Sequence, residues 1–172
     1  MRGCRRTGRR PSSRRWAAPV SALGPRLLRV AGEVADGTVL WMAPARAVGS
    51  HVAPRIHTAA AAAGRPEPRI VAGLPLAVHD DEAEARSAAV RYATAYAGMP
   101  NYARILEIGG VSNPVEAAVV GDEKAVRAAL QALLDAGATD IWAAVFPVGR
   151  DRPERVESTR RTTDLLRELT TG

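Results

Sequence analysis

The sequence predicts an α/β protein in which about four parallel strands alternate with helices. Between residues 19 and 172, apolar segments of strand length alternate with amphipathic segments of helix length. Residues 69–78 are almost continuously apolar, which is typical of a strand that is buried on both faces of a parallel sheet. Only 4% of the residues are aromatic, so a large core must consist of Ala, Val, Leu and Ile.

Local signals place the individual elements. Pro25 begins the first predicted helix, because a residue at the first helical position does not need the N–H that proline lacks. Asp80 or Asp81, and later Asp122, provide side-chain caps for two further helices. The predicted strands are residues 19–22, 38–42, 69–78 and 139–146. Two more helical stretches are predicted, one over residues 44–64 with a break near Pro54 and one that starts at Pro153, and residues 99–114 are predicted to be irregular.

The composition excludes several classes of protein. The length of 172 residues suits one domain, and no apolar run reaches the roughly 18 residues that a membrane-spanning helix needs. The single cysteine, Cys4, excludes an internal disulfide framework and a multi-cysteine metal cage, and it fits a reduced cytoplasmic compartment. His51 and His57 do not have the i, i+4 spacing of a helical metal pair, so we interpret both as surface residues and predict no metal site.

The positive charge of the chain is concentrated near its start. Residues 1–15 contain seven arginines and no acidic residue, whereas the rest of the chain has 17 basic and 18 acidic residues. We predict a disordered arginine-rich leader over residues 1–18 and a folded domain over residues 19–172. The leader has four interpretations: a nucleic-acid-binding arm, a targeting peptide, a solvated tail, or a start site placed upstream of or within a truncated gene. The nearly neutral domain itself is not expected to bind nucleic acid.

Residues 21–37 resemble the luciferase-like monooxygenase superfamily. They contain a turn of small residues, Gly-Pro, a helix that includes Ala-Gly, and then Ala-Asp-Gly before a strand. The resemblance is closest to the coenzyme F420-dependent oxidoreductase branch, which includes methylenetetrahydromethanopterin reductase-like proteins. Further matches follow in the same order at residues 38–41, 68–75, 80–86, 120–122 and 135–140. The resemblance extends over about residues 19–149 and leaves residues 1–18 outside it.

The resemblance implies a (β/α)8 TIM barrel, of which this chain supplies the C-terminal half, roughly strands five to eight. The site of such a barrel lies at the C-terminal ends of its strands. By resemblance, Ser21, Ala22, Leu23 and Gly24 bind the phosphate of the coenzyme, and Trp41 lines the pocket for its ring. The residues suit the first role, because free amides and the positive end of the helix dipole favour an anion at a helix N-terminus.

Several of these segments also have a structural interpretation. The turn at residues 21–25 is equally an ordinary strand-to-helix connection, and Trp41 is equally a residue packed under the next helix. His79 is a candidate proton donor, although we interpret it as a cap or surface residue. Residues 146–149 either pack against a ligand or simply end a strand. Residues 99–110 are longer than a crossover needs, so we expect them to shape a substrate pocket.

Three functions follow as hypotheses. The first is an oxidoreductase that transfers hydride through coenzyme F420, or alternatively FMN, to a small organic substrate, with no catalytic acid assigned. The second is a catalytically inactive, truncated barrel fragment, because half a barrel has two open sheet edges unless two copies pair as a homodimer. The third is nucleic-acid binding through the basic N-terminal arm.

Overall fold

The computed structural model describes residues 18–171, so the predicted leader lies almost entirely outside the described residues. The five strands are β1 (Val20–Ser21), β2 (Gly37–Trp41), β3 (Arg69–Val78), β4 (Val119–Gly121) and β5 (Asp140–Val145). The α-helices are α1 (Pro25–Val34), α2 (Ala45–Ala47), α3 (Ala53–Ala62), α4 (Glu82–Ala93), α5 (Pro100–Gly109), α6 (Glu123–Asp135) and α7 (Arg152–Thr171). Within residues 18–171, no helix has both the length and the apolarity to cross a membrane.

All five strands are parallel and belong to one sheet. β1 pairs with β2, β2 with β3, and β5 lies on the other edge of β3. Backbone groups of a strand alternate between its two edges. The backbone groups of Arg69 and Gly73 form hydrogen bonds on the β2 side of β3. His79 is also odd-numbered, so its amide points to that same side, where it donates to the carbonyl of Gly121. The short β4 therefore extends the sheet beyond the end of β2, and β1–β2–β3–β5 remain in chain order, as in half of an eight-stranded barrel.

The main core lies between the sheet and its helices. Alternate residues of β3 point towards the helices and are buried there: Ile70, Ala72, Leu74, Leu76 and Val78. The opposite side of the sheet, which we call the ring face, carries Trp41, Gly73 and Trp142 in one register row across β2, β3 and β5. Trp142 is 52% exposed, so in this chain the ring face is only partly covered.

Capping residues and prolines explain where several helices begin. Asp81, and not Asp80, caps α4 by accepting from the amide of Glu84 at 3.0 Å, and Asp122 caps α6 by accepting from Ala125 at 2.7 Å. The predicted break near Pro54 takes the form of a π-helical turn at Val48–Val52, which lets the chain continue from α2 into α3.

Two local predictions are wrong. Residues 99–114 are not irregular as a whole, because α5 occupies Pro100–Gly109 with Pro100 in its first turn and Ile105 and Leu106 buried. The helix ends at Gly110, whose φ of 78° is left-handed. β4 was not predicted, since a strand of three residues leaves no periodic signal in the sequence.

Two buried hydroxyls attach α7 to the end of β3, where β5 has already ended. Ser158 donates to the carbonyl of Val78 at 2.9 Å, and the amide of Val78 donates to Thr162 Oγ1 at 2.8 Å. Both side chains are buried. These bonds satisfy backbone groups that would otherwise lack a strand partner.

Thr162→Val is therefore expected to lower the free energy of unfolding by about 1–3 kcal/mol, because it leaves the buried amide of Val78 without an acceptor. Urea denaturation of the two proteins measures the difference. Thr58→Val is the matched control, since the hydroxyl of Thr58 is exposed and bonds only within its own helix. Equal losses for the two variants would contradict the role of Thr162.

Candidate functional site

The turn between β1 and α1 faces a cavity of about 280 Å³. Leu23, Gly24 and Pro25 line one side of this cavity. Gly24 is the N-cap residue of α1 and has no side chain with which to cap the first amides, while Pro25 carries no N–H. A Cβ atom built on Gly24 would meet no atom within 4 Å, so the backbone is open to an incoming group here.

The N-terminal part of α5 lines the other side of the same cavity. Pro100, Asn101 and Arg104 contribute to it. Arg104 is exposed and forms no hydrogen bond or ion pair with any residue of the described chain from 18 to 171. Two helix N-termini and one unpaired guanidinium therefore border the cavity, and none of its lining residues is acidic. This combination favours an anion.

His51 forms a hydrogen bond with the turn between β1 and α1. The residue lies in the π-helical turn, is 4% exposed, and its Nε2 atom is 3.0 Å from the carbonyl oxygen of Leu23. A carbonyl can only accept, so Nε2 carries the proton. Burial lowers the pKa of His51, and nearby Arg55 and Arg104 lower it further, although the bond to Leu23 opposes this. The interpretation of His51 as a surface residue is therefore wrong.

The lowered pKa of His51 predicts a loss of stability in acid. The unfolded chain takes up a proton near pH 6.5, whereas folded His51 stays neutral to lower pH. The stability that neutral His51 contributes is thus present above pH 6.5 and is lost as the pH falls towards the folded pKa. We expect the free energy of unfolding to fall more steeply below pH 6.5 for the wild type than for His51→Gln, whose amide can donate but does not titrate. Parallel profiles from urea denaturation would contradict this.

An aromatic cluster occupies the ring face at the end of β2. The ring centroid of Trp41 is 5.2 Å from that of Trp142 and 6.1 Å from that of Tyr96, and Tyr96 is 4.7 Å from Tyr102. The indole Nε1 of Trp41 is buried and has no partner among the described residues. Burial and the neighbouring Tyr96 raise the pKa of Tyr102. The next residue of the chain, Met42, has a left-handed φ of 55°, a strained conformation that often marks functional sites.

α5 connects the cluster with the cavity, because Tyr102 joins the cluster while its neighbours Asn101 and Arg104 line the cavity. A ligand with an anionic group and a planar ring would find complementary chemistry on the two sides of one helix. The site can therefore bind and orient such a ligand.

The five residues proposed from the sequence occupy different positions. The backbone of Leu23 and Gly24 borders the cavity, whereas the side chains of Ala22 and Leu23 are buried in the core. Ser21 is exposed beside Val39 in the register and is not among the residues that line the cavity. Trp41 lies in the aromatic cluster. Their roles as coenzyme contacts remain predictions.

Two other candidates have structural surroundings. His79 accepts from the amide of Asp81 at 3.1 Å in the loop before α4, which agrees with the capping interpretation. Phe146 is fully buried against Tyr92, with ring centroids 5.2 Å apart, so it packs under α4.

Sequence reasoning missed Arg104, His51 and Trp142. His51 had a usable signal, because it lies three residues after Val48 and directly before Val52, on the apolar side of a helical stretch. Trp142 also had one, since strand alternation places it opposite Ile141. Arg104 had none, because its segment was predicted to be irregular.

Comparisons with known proteins support one family. The family model described as luciferase-like monooxygenase matches residues 2–151. The match begins inside the predicted leader, so it extends further towards the N-terminus than residues 19–149. Among proteins of curated function, none matches the chain at a significant level.

Three solved structures share the fold. A coenzyme F420-dependent tetrahydromethanopterin reductase from Methanopyrus kandleri is 22% identical, with a TM-score of 0.62 over 84% of this chain and 49% of its own. An F420-dependent secondary alcohol dehydrogenase, in complex with an F420-acetone adduct, is 14% identical, with a TM-score of 0.64 over 84% of this chain and 46% of its own. A type II Baeyer-Villiger monooxygenase from the CAM plasmid of Pseudomonas putida, in complex with FMN, is 17% identical, with a TM-score of 0.54 over 81% and 43%.

The chain thus spans about half the length of the solved structures that it matches, which are covered to 49%, 46% and 43%. The α/β architecture of half a barrel, predicted from the sequence, is confirmed by these matches. The family match covers most of the chain and agrees with the resemblance of residues 21–37. The chain belongs to the luciferase-like monooxygenase family.

Proposed function

We propose that this chain binds a phosphate-bearing redox coenzyme, F420 or alternatively FMN, and acts in an oxidoreductase that transfers hydride to a small organic substrate. One observation carries the proposal. The open backbone at Gly24, the two helix N-termini and unpaired Arg104 converge on one cavity of about 280 Å³. The proposed setting is the cytoplasm, with a small molecule as the other reactant.

The cavity fits the anionic part of such a coenzyme. Its lining has one cationic side chain, Arg104, and no acidic one. Neutral His51 donates to the carbonyl of Leu23 and so fixes the position of the turn beside the cavity. Arg104 would then form a charge-assisted hydrogen bond with a phosphate oxygen.

The aromatic cluster fits the planar part. When bound, the ring of F420 or FMN supplies the hydride-transfer chemistry. The role of this chain is to orient the ring, through the faces of Trp41 and Tyr96 and the unpartnered N–H of Trp41. Ser21 and Val39 would also contact the coenzyme beside Trp41, since both lie on the ring face.

Either coenzyme is compatible with these contacts. Two of the structurally similar proteins bear F420 in their names, and one contains FMN. We favour F420, because the resemblance of residues 21–37 is closest to the F420-dependent branch. An inactive fragment is the second candidate, and it is favoured by the span of about half of each related chain and by the exposure of Trp142.

The test is titration of the full chain with F420 and, separately, with FMN, followed by absorbance and fluorescence of the coenzyme. We expect a saturable spectral change that inorganic phosphate competes away. Binding without turnover of alcohols or ketones would support the fragment, whereas spectra that stay unchanged for both coenzymes would overturn the proposal.

A further inference from the structure

Among the described residues, the four chain-ordered strands β1–β2–β3–β5 end in two edges without a strand partner, at β1 and at β5. Each edge is flanked by a helix that has one helical neighbour on its inner side: α1 packs against α3, and α7 packs against α6. The outer flanks of α1 and α7, which face away from those neighbours, are therefore the surfaces next to the two edges.

The outer flank of α1 is apolar and exposed. Leu27, Val30 and Val34 follow each other at i, i+3 and i+7, and they are 52%, 40% and 65% exposed. The side of α1 that meets α3 is marked by Gly32, where a Cβ atom would lie 2.6 Å from the carbonyl oxygen of Ile56. Such a stripe, beside the ordinary buried stripe of the same helix, indicates a missing neighbour.

The outer flank of α7 carries Arg152 at the first position of the helix and is uncharged after it. Val156, Thr159, Thr163 and Thr170 follow each other at i, i+3, i+7 and i+14, and Val156 is 59% exposed. The side towards α6 is charged and marked by Arg161, which bonds to Glu123 at 2.8 Å. The outer flank of α1 is thus apolar, and that of α7 is uncharged from Val156 onwards.

We infer that a second copy of this chain covers both stripes. The two copies are related by a twofold axis parallel to the strands, so that the β5 edge of each lies beside the β1 edge of the other and α7 packs against the partner's α1. Parallel strands permit this closure, because both seams then join strands of the same direction. The four chain-ordered strands of each copy together make eight.

The ring face agrees with this arrangement. In an eight-stranded barrel, the side of the sheet opposite the helices becomes the packed interior. Trp41 and Trp142 lie on that side in one register row with Gly73 between them, and Trp142 is 52% exposed in the single chain. A second copy would cover this exposed side of Trp142.

Sedimentation velocity of the full chain, without coenzyme, tests the inference independently of the proposed function. We expect a dimer for the wild type and for Arg26→Glu, a control on the polar side of α1. Val30→Glu is expected to weaken association at least about tenfold, because it buries a charge in the seam. Circular dichroism checks that Val30→Glu remains folded, as its 40% exposure predicts.

A charge pair tests the orientation of the two copies. Thr163→Lys should also weaken self-association, and a mixture of Thr163→Lys with Val30→Glu should form a heterodimer, since one seam then joins opposite charges. A monomeric wild type, a dimer that Val30→Glu leaves unchanged, or a mixture that stays monomeric would each overturn the inference. So would association only with a separate chain that carries the other half of a barrel.

Discussion

Arg104→Ala is expected to weaken binding of F420 or FMN by about 10- to 100-fold, because a charge-assisted hydrogen bond to phosphate contributes about 1.5–3 kcal/mol. Arg104 is the cationic residue of the cavity and has no other partner in the described chain, so its loss should leave the fold unchanged. Spectroscopic titration of both proteins gives the ratio of dissociation constants.

The matched control for that titration is Arg29→Ala. Arg29 is exposed on α1, pairs within its own helix with Glu33, and does not line this cavity. Its removal should leave coenzyme affinity unchanged at moderate salt, since screening limits distant charges. Equal losses for the two variants would show that overall charge, and not the cavity, holds the coenzyme. Inorganic phosphate should compete with the wild type and much less with Arg104→Ala.

Gly73→Val is expected to lower the free energy of unfolding by about 3 kcal/mol or more, at the upper end of the usual cost of overpacking. A Cβ atom at Gly73 would lie 2.6 Å from Cε3 of Trp142 and 2.7 Å from the carbonyl oxygen of Leu40. The ring centroid of Trp142 is 5.2 Å from that of Trp41, so a displaced indole disturbs this pair, and the carbonyl oxygen of Leu40 belongs to the paired strand β2. Urea denaturation measures the loss of stability.

Tryptophan emission provides a second readout for Gly73→Val, because separation of Trp41 from Trp142 changes the surroundings of both rings. Gly98→Val is the control, since a Cβ atom there would meet nothing within 4 Å. We expect that control to stay within about 0.5 kcal/mol of the wild type. A Gly73→Val protein with native stability and native emission would contradict the close packing of the ring row.

Most of the fold was predictable because its signals are local. The apolar run of residues 69–78 became β3, and the aspartates proposed as caps, Asp81 and Asp122, accept from backbone amides as expected. The prediction of an irregular segment after residue 99 is wrong, because Pro100 and Gly110, which are also common in loops, stand at the start and just past the end of α5. A proline at the first turn and a glycine just past the last turn are typical of a helix.

The candidate site was only partly predictable, because its members come from distant elements. The turn at Leu23 and Gly24 is local and was found. Arg104 and His51 reach the same cavity only through the packing of α5 and of the π-helical turn, which no periodicity reports. The register row of Trp41 and Trp142 likewise depends on how β2, β3 and β5 align.

The main core of this chain lies on the helix side of its sheet, while the aromatic row lies on the other side. The free energy that holds the chain together and the chemistry that recognises a ligand are therefore largely separable. A library of substitutions at Val39, Trp41 and Trp142 should yield mostly folded proteins with altered ligand preference. Gly73 is the exception, because a side chain at this position would disturb both the packing of the sheet and the aromatic row.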